Sequence, residues 1–336
     1  MFFNRRDFLF AAASTAAIGL VWGDQRWRAL AQEAPPETTR ITLVRSPSLC
    51  AAPLDIVDEL LADEGITQVD YLSSSYSSRV GDEAIASGQV DFGNDFSAPL
   101  ALALDRGTKI TILAGVHVGC YELFAKNGIN SITDLKGRSV GIPVLESAPH
   151  VFLSAMAALV GIDPTKDINW VTSVDPKPSE LFLDGKVDAF LGFPPEPQRL
   201  RAQGVSHVIM NSGQDRPWSQ YFCCMLVANP DFVRTKPIAT KRVVRAILRA
   251  TDLCFSAPTR VARQVVDRGF TPNYDYAVQT LSDVPYGKWR DYDPEDTLRF
   301  YALRLHEAGM IKSSPDRIIA EGADWRFLRE VRRELG

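Results

Sequence analysis

The segment Thr133–Val151 reads TDLKGRSVGIPVLESAPHV. A short helical turn (Ile132 to Leu135) is broken by Gly137-Arg138, an apolar strand runs from Ser139 to Pro143, a polar loop follows, and an apolar helix begins near Pro149. A strand that opens through a polar loop into a helix sets the helix's unsatisfied N–H groups at the carboxyl edge of a sheet. Open α/β folds bind their ligands at that edge.

The same alternation extends in both directions. Upstream, strands are expected at Ile41 to Arg45, Val69 to Leu72, around Asp91-Phe92-Gly93, Ile110 to Val116 and Tyr121 to Lys126, with helices at Pro53 to Asp63, Arg79 to Ala86 and Ala98 to Leu104. Downstream come the helix Pro149 to Val160, the strand Ile168 to Thr172, a helix near Ser179 to Leu183, and strands at Asp188 to Phe193, Val208 to Met210 and Tyr221 to Ala228. Strands alternating with helices argue for α/β lobes with parallel sheets wrapped on both faces. From Thr240 the pattern turns helical, which predicts a C-terminal block packed on the first sheet. There Arg326, Arg329, Arg332 and Arg333 interleave with Glu330 and Glu334 as a solvated helix face.

At the other end, Arg5-Arg6 precede Phe8-Leu9, an alanine-rich apolar run to Trp22, and Ala29-Leu30-Ala31. A basic start, a moderately apolar stretch and a small-x-small site predict a twin-arginine export signal over residues 1–31, cleaved near Ala31, and a periplasmic mature protein. The apolar run is shorter than the roughly 20 residues a retained anchor needs. Losing residues 1–31 removes four arginines and two aspartates, so the formal charge moves from −4 to −6, which leaves no basic surface for nucleic acid or anionic membrane. Residues 32–39, with Pro35-Pro36, read as a polar linker. The five cysteines are odd in number and lack CxxC spacing, so they are expected to be buried apolar residues. Cys223 and Cys224, adjacent in a strand, should face opposite ways.

Three phrases carry a resemblance: Ala84-Ile85-Ala86-Ser87-Gly88-Gln89-Val90-Asp91-Phe92-Gly93, Asp134-Leu135-Lys136-Gly137, and Leu183-Asp184-Gly185-Lys186-Val187-Asp188-Ala189. In this order and spacing, behind an export signal, they cover most of the mature chain. The chain therefore resembles the periplasmic substrate-binding proteins of ABC transporters of the nitrate/sulfonate/taurine (SsuA/THI5-like) class. The resemblance implies a type II periplasmic-binding-protein fold: two α/β lobes joined by two crossovers, with a hinge, closing on a small-molecule ligand for an inner-membrane permease. Lobe 1 is expected at 40–117 and 228–336 and lobe 2 at 118–227, acting as a monomer.

Asp91 and Asp188 start their strands, the wrong end for a ligand, and are read as structural. Site residues are expected at the opposite ends: Ser46, Ser48 and Leu49 after the first strand, Tyr76 after the second, and Asp95, Phe96 and Ser97 after the third. In the second lobe the matching positions are Glu146, Ser147 and His150, then Phe193 and Glu196. Tyr76, Phe96, Phe193 and Tyr221 could wall a nitrogen heterocycle. Glu146 would repel an anion unless Arg45, Arg79 or Arg199 offsets it, so an anion and a neutral or cationic ligand both stay open.

The common catalytic patterns, a Gly-x-Ser-x-Gly elbow, a Walker loop, Gly-x-Gly-x-x-Gly and His-Glu-x-x-His, do not occur, and no cofactor, metal or catalytic residue is assigned. Two rival readings share the lobes. One is an enzyme similar to thiamine pyrimidine synthase, whose cysteine-rich, iron-binding motif Phe222-Cys223-Cys224-Met225 matches only faintly; the other is a sensor module that presents its ligand to a receptor.

Overall fold

The computed structural model describes residues 33–46, 48–73, 78–205 and 207–336, apart from the side chains of 78–80. The expected leader, Gln32 and Tyr76 lie outside the described residues. The strands are β1 (Arg40–Arg45), β2 (Gln68–Ser73), β3 (Phe92–Phe96), β4 (Thr111–Val118), β5 (Glu122–Ala125), β6 (Ser139–Ile142), β7 (Asn169–Thr172), β8 (Ala189–Gly192), β9 (Val208–Asn211) and β10 (Phe222–Ala228). The helices, in chain order, begin with α1 (Ala52–Asp55), α2 (Asp58–Asp63), α3 (Ser78–Ala86), α4 (Ser97–Asp105), α5 (Ala148–Leu159), α6 (Pro178–Leu183) and α7 (Glu196–Ala202). They continue with α8 (Pro230–Thr235), α9 (Pro237–Ser256), α10 (Pro258–Asp267), α11 (Tyr274–Asp283), α12 (Pro294–Glu307), α13 (Pro315–Gly322) and α14 (Arg326–Leu335).

The strands form two five-stranded sheets, ordered β2-β1-β3-β10-β4 and β7-β6-β8-β5-β9. Each is mixed rather than purely parallel. β10 runs antiparallel to β3 and β4, and β5 antiparallel to β8 and β9. The reason is the crossover: each sheet takes one strand that the chain lays down on arriving from the other lobe. β10 is buried along its whole length, as suits a strand with neighbours on both sides. It belongs to the first sheet, so the lobe boundary drawn at 227/228 falls earlier, within 212–221. The crossovers 119–121 and 212–221 are tied by Ser212, whose Oγ accepts from the N–H groups of Cys120 (3.1 Å) and Tyr121 (2.8 Å).

The two lobes repeat one device. Asp91 Oδ2 accepts the backbone N–H of Thr42 at 2.8 Å, and Asp188 Oδ2 accepts that of Ser139 at 3.0 Å. Gly88 and Gly185, three residues before each aspartate, end α3 and α6 with φ of +76° and +74°, which a side chain would strain. Both aspartates therefore pin the start of one strand to the start of its neighbour, far from the carboxyl edge.

Four local expectations change. The single helix expected over Pro53 to Asp63 is broken at Ile56-Val57, two buried β-branched residues. Pro315–Gly322 forms a helix, capped by Ser314 Oγ, that periodicity alone did not show. Residues 33–39 are no free linker: Glu33 pairs with Arg245 (2.7 Å) and Lys241 (3.0 Å), and Glu37 caps α9 by accepting from Ile238 and Ala239 N–H. On α14, Glu334 turns inward to the same Arg245, and Arg332 donates to the carbonyls of Trp289 and Tyr292. The C-terminal block packs on the first sheet, and α12 also reaches α5 of the second lobe.

Candidate functional site

The loops that leave the carboxyl ends of the two sheets meet. Leu49 N–H donates to Pro194 O at 3.2 Å, and Ser48 Oγ approaches the same carbonyl at 3.4 Å. Ser48 follows β1 and Pro194 follows β8, so this contact joins the lobes directly. A second joint is electrostatic: Arg106, just past α4, forms a bidentate pair with Glu146 in the loop after β6, at 2.7 and 2.5 Å. Arg201 of α7 pairs with Asp283 of α11 (2.7 Å) and with Glu122. Arg106 thus offsets Glu146, a role expected of Arg45, Arg79 or Arg199, of which the Arg79 side chain lies outside the described residues. Arg45 instead lies over the rings of Tyr71 and Phe270, and Arg199 pairs with Glu196.

Beside the joint stand three rings drawn from both lobes and a crossover. Phe96 and Tyr121 have centroids 5.0 Å apart, and Phe193 is 5.9 Å from each. Tyr121 is fully buried, and its hydroxyl has no hydrogen-bond partner among the described residues. Sequence reading saw it only as the start of a strand. Tyr221, expected in this wall, stacks on Phe300 at 4.0 Å instead.

The polar groups divide into two ends. At the end of β3, Asp95 Oδ1 accepts from Phe96 N–H, and Asp95 hydrogen-bonds the buried Asp82 of α3. Burial, then the charge of Asp95, pushes the Asp82 carboxyl well above the usual carboxylate range, so it holds its proton. Asn94 Oδ1 and Asp82 Oδ1 are buried without partners among the described residues. At the start of α5, Ser147 is 1% exposed and its Oγ has no partner among the described residues, although its position would suit a helix cap. Glu146 adopts φ +66° and donates its N–H to His150 Nδ1 at 2.9 Å. Burial pushes the His150 imidazole down to about 4, against the pull of Glu146, so the ring is neutral and acts as an acceptor that shapes this loop.

On the second-lobe side, a cavity of about 220 Å³ opens among Pro143, Val174, Lys177, Ser179, Phe193 and Glu196. Burial raises the Glu196 carboxyl, but hydrogen bonds from Arg199 and Ser179 outweigh it and hold the group below its ordinary range. Two other expected residues have structural partners: Ser46 Oγ accepts from Ser48 N–H, and Ser97 Oγ donates to Phe222 O at 2.7 Å. The structure therefore brings Ser48, Leu49, Asp95, Phe96 and Phe193 to the meeting of the lobes, with Glu146 and Ser147 on one facing loop, His150 in the first turn of α5 and Glu196 at the cavity. Asp82, Arg106 and Tyr121 were missed.

Comparison with known proteins places these features among binding proteins. The chain is 24% identical over 253 residues to the taurine-binding periplasmic protein of Escherichia coli (strain K12), covering 75% of each chain. In fold it is similar to the periplasmic nitrate-binding protein NrtA from Synechocystis PCC 6803 (TM-score 0.74, 17% identity, 90% of each chain). It is also similar to the alkanesulfonate-binding protein SsuA from Xanthomonas axonopodis pv. citri, crystallised with MOPS (TM-score 0.69, 14% identity, 86% of this chain and 99% of that one). The sequence profile described as NMT1/THI5 like matches residues 61–261, and the chain belongs to that family.

Proposed function

We propose that the protein is the periplasmic solute-binding component of an ABC importer, closing two lobes on a small polar molecule and delivering it to a permease. The observation that carries this reading is the meeting of carboxyl-edge loops from both sheets, Leu49 N–H on Pro194 O, beside a ring trio drawn from both lobes. Groups from two lobes that converge only on closure couple ligand binding to the closed form. Lobe 1 comprises the first sheet with α8–α14, and lobe 2 the second sheet. The leader over 1–31 is assigned to twin-arginine export with cleavage near Ala31. The chain is read as a monomer that binds its ligand without covalent chemistry.

The ligand class follows from the two polar ends. Asp95, with the neutral Asp82 beside it, favours an ammonium or N–H group, while Ser147 Oγ at the start of α5 favours an acceptor such as a sulfonate oxygen. With Glu146 neutralised by Arg106, a zwitterion of the taurine class fits better than nitrate. A nitrogen heterocycle against the ring trio is the alternative. Thermal-shift measurements on residues 32–336, refolded to strip carried-over ligand, would compare taurine, simple alkanesulfonates, nitrate, amines and pyrimidines. A ligand at a hundredfold over its Kd adds about 2.7 kcal/mol. A shift with taurine that Asp95→Asn and Ser147→Ala each abolish supports the reading, whereas no shift with any class removes it.

A further inference from the structure

Four of the five cysteines, far apart in sequence, converge beneath the meeting of the lobes. Cys50 lies in the 3-10 turn after β1, Cys120 in the first crossover, and Cys223 and Cys224 in β10. All are buried and free. Cys120 Sγ is 3.3 Å from Cys223 Sγ and also within reach of Cys50 and Cys224. The expected alternation of Cys223 and Cys224 fails because the β10–β4 register shifts on both sides of Cys224. That shift sets Cys224 opposite His117. A ring nitrogen of His117, Cys50 Sγ and Cys224 Sγ then lie within 4.8 Å of one another.

His117 is 0% exposed; its Nδ1 is 3.4 Å from Val118 O, and its Nε2 has no partner among the described residues. With the proton on Nδ1 and turned to that carbonyl, Nε2 presents a buried lone pair with nothing to accept. We propose that Cys50, His117 and Cys224 hold a thiophilic d10 cation, zinc(II) or copper(I). Two thiolates and an imidazole, with no carboxylate among them, select soft cations over magnesium or calcium. Atoms that share such a metal at about 2.0–2.3 Å stand roughly 3.5–4 Å apart, so side-chain rotation of about an ångström closes the site. Thiolate charge offsets that of the buried cation. Zinc would recruit Cys120 as its fourth ligand, whereas copper(I) is satisfied by three. Binding releases the protons of the ligating thiols to solvent, two for copper(I) and three for zinc with Cys120, and changes no oxidation state. The site would fix the turn carrying Cys50, and with it Ser48, whose Oγ is 3.0 Å from Cys50 Sγ.

The test is elemental analysis of protein purified without chelator, followed by titration of the reduced, metal-stripped protein with cobalt(II) and copper(I). The expected result is about one equivalent of zinc or copper per chain and sulfur-to-cobalt charge-transfer absorption that saturates at about one equivalent. Cys50→Ser and Cys224→Ser should abolish both signals, while Cys254→Ser, which removes a buried thiol outside the cluster, keeps them. Cys120→Ser separates the two cations, losing zinc but retaining copper(I). If a variant does not fold, the wild-type spectrum still decides. Wild-type protein that takes up neither cobalt nor copper(I) after reduction overturns the proposal, and so does iron as the resident metal.

Discussion

At the scale of single residues, burial sets two titrations of opposite sign. The folded His150 imidazole is held at about 4 against 6.5 unfolded. Between those values the unfolded chain binds the extra proton, so stability is lost as pH falls from about 6.5 to about 4, on the order of 3 kcal/mol. His150→Gln, which keeps an acceptor for Glu146 N–H, should flatten the thermal-midpoint profile across that window. Asp55 behaves in reverse: burial, only partly offset by Arg45 and Arg268, pushes its carboxyl up to about 8. The folded chain then holds the extra proton above 3.8, and stability falls as pH rises. Asp55→Asn should raise the midpoint at pH 8 and leave it nearly unchanged at pH 4. Sequence exposed the post-strand residues Ser48, Asp95 and Ser147 because capping and ligand contact favour the same short polar side chains there. It could not expose Arg106, whose partner Glu146 is 40 positions away and meets it only across the cleft.

Among elements, the strand starts were the most legible. The Gly-x-Val-Asp phrases at Gly88 and Gly185 announce a helix end, a left-handed residue and a buried strand in fixed order, and both occur as read. Asp91→Ala and Asp188→Ala should each cost about 1–3 kcal/mol in denaturant unfolding, because a strand N–H loses its acceptor. Ligand affinity should stay unchanged, which separates these aspartates from Asp95. Glu37→Ala should cost about 1 kcal/mol by uncapping α9. The antiparallel strands were less legible, since an apolar run such as FCCMLVA fits a buried strand of either direction. The thiol cluster was hidden for a related reason: its members come from three separate elements, and cysteine spacing along the chain carries no trace of them.

For the whole molecule, closure is held by a few cross-lobe contacts of modest worth. Arg106 and Glu146 are each about two-fifths exposed, so their pair contributes about 0.5 kcal/mol and weakens with salt. Combining Arg106→Ala with Asp283→Ala should shift the unliganded protein toward an open form, seen as a larger radius of gyration by solution scattering, with little change in thermal midpoint. An unchanged radius would mean that the Pro194 contacts suffice. The sheet order also bears on how the chain is made. The second sheet draws on residues 122–211 alone, whereas the first lacks its inner strand until residue 228 has been synthesised. During translation the later-starting lobe therefore completes first, and β1–β4 wait as an unfinished sheet with a gap for β10. A chain truncated just short of 222 would keep that gap open, leaving two apolar strand edges for a chaperone or a second nascent chain to occupy.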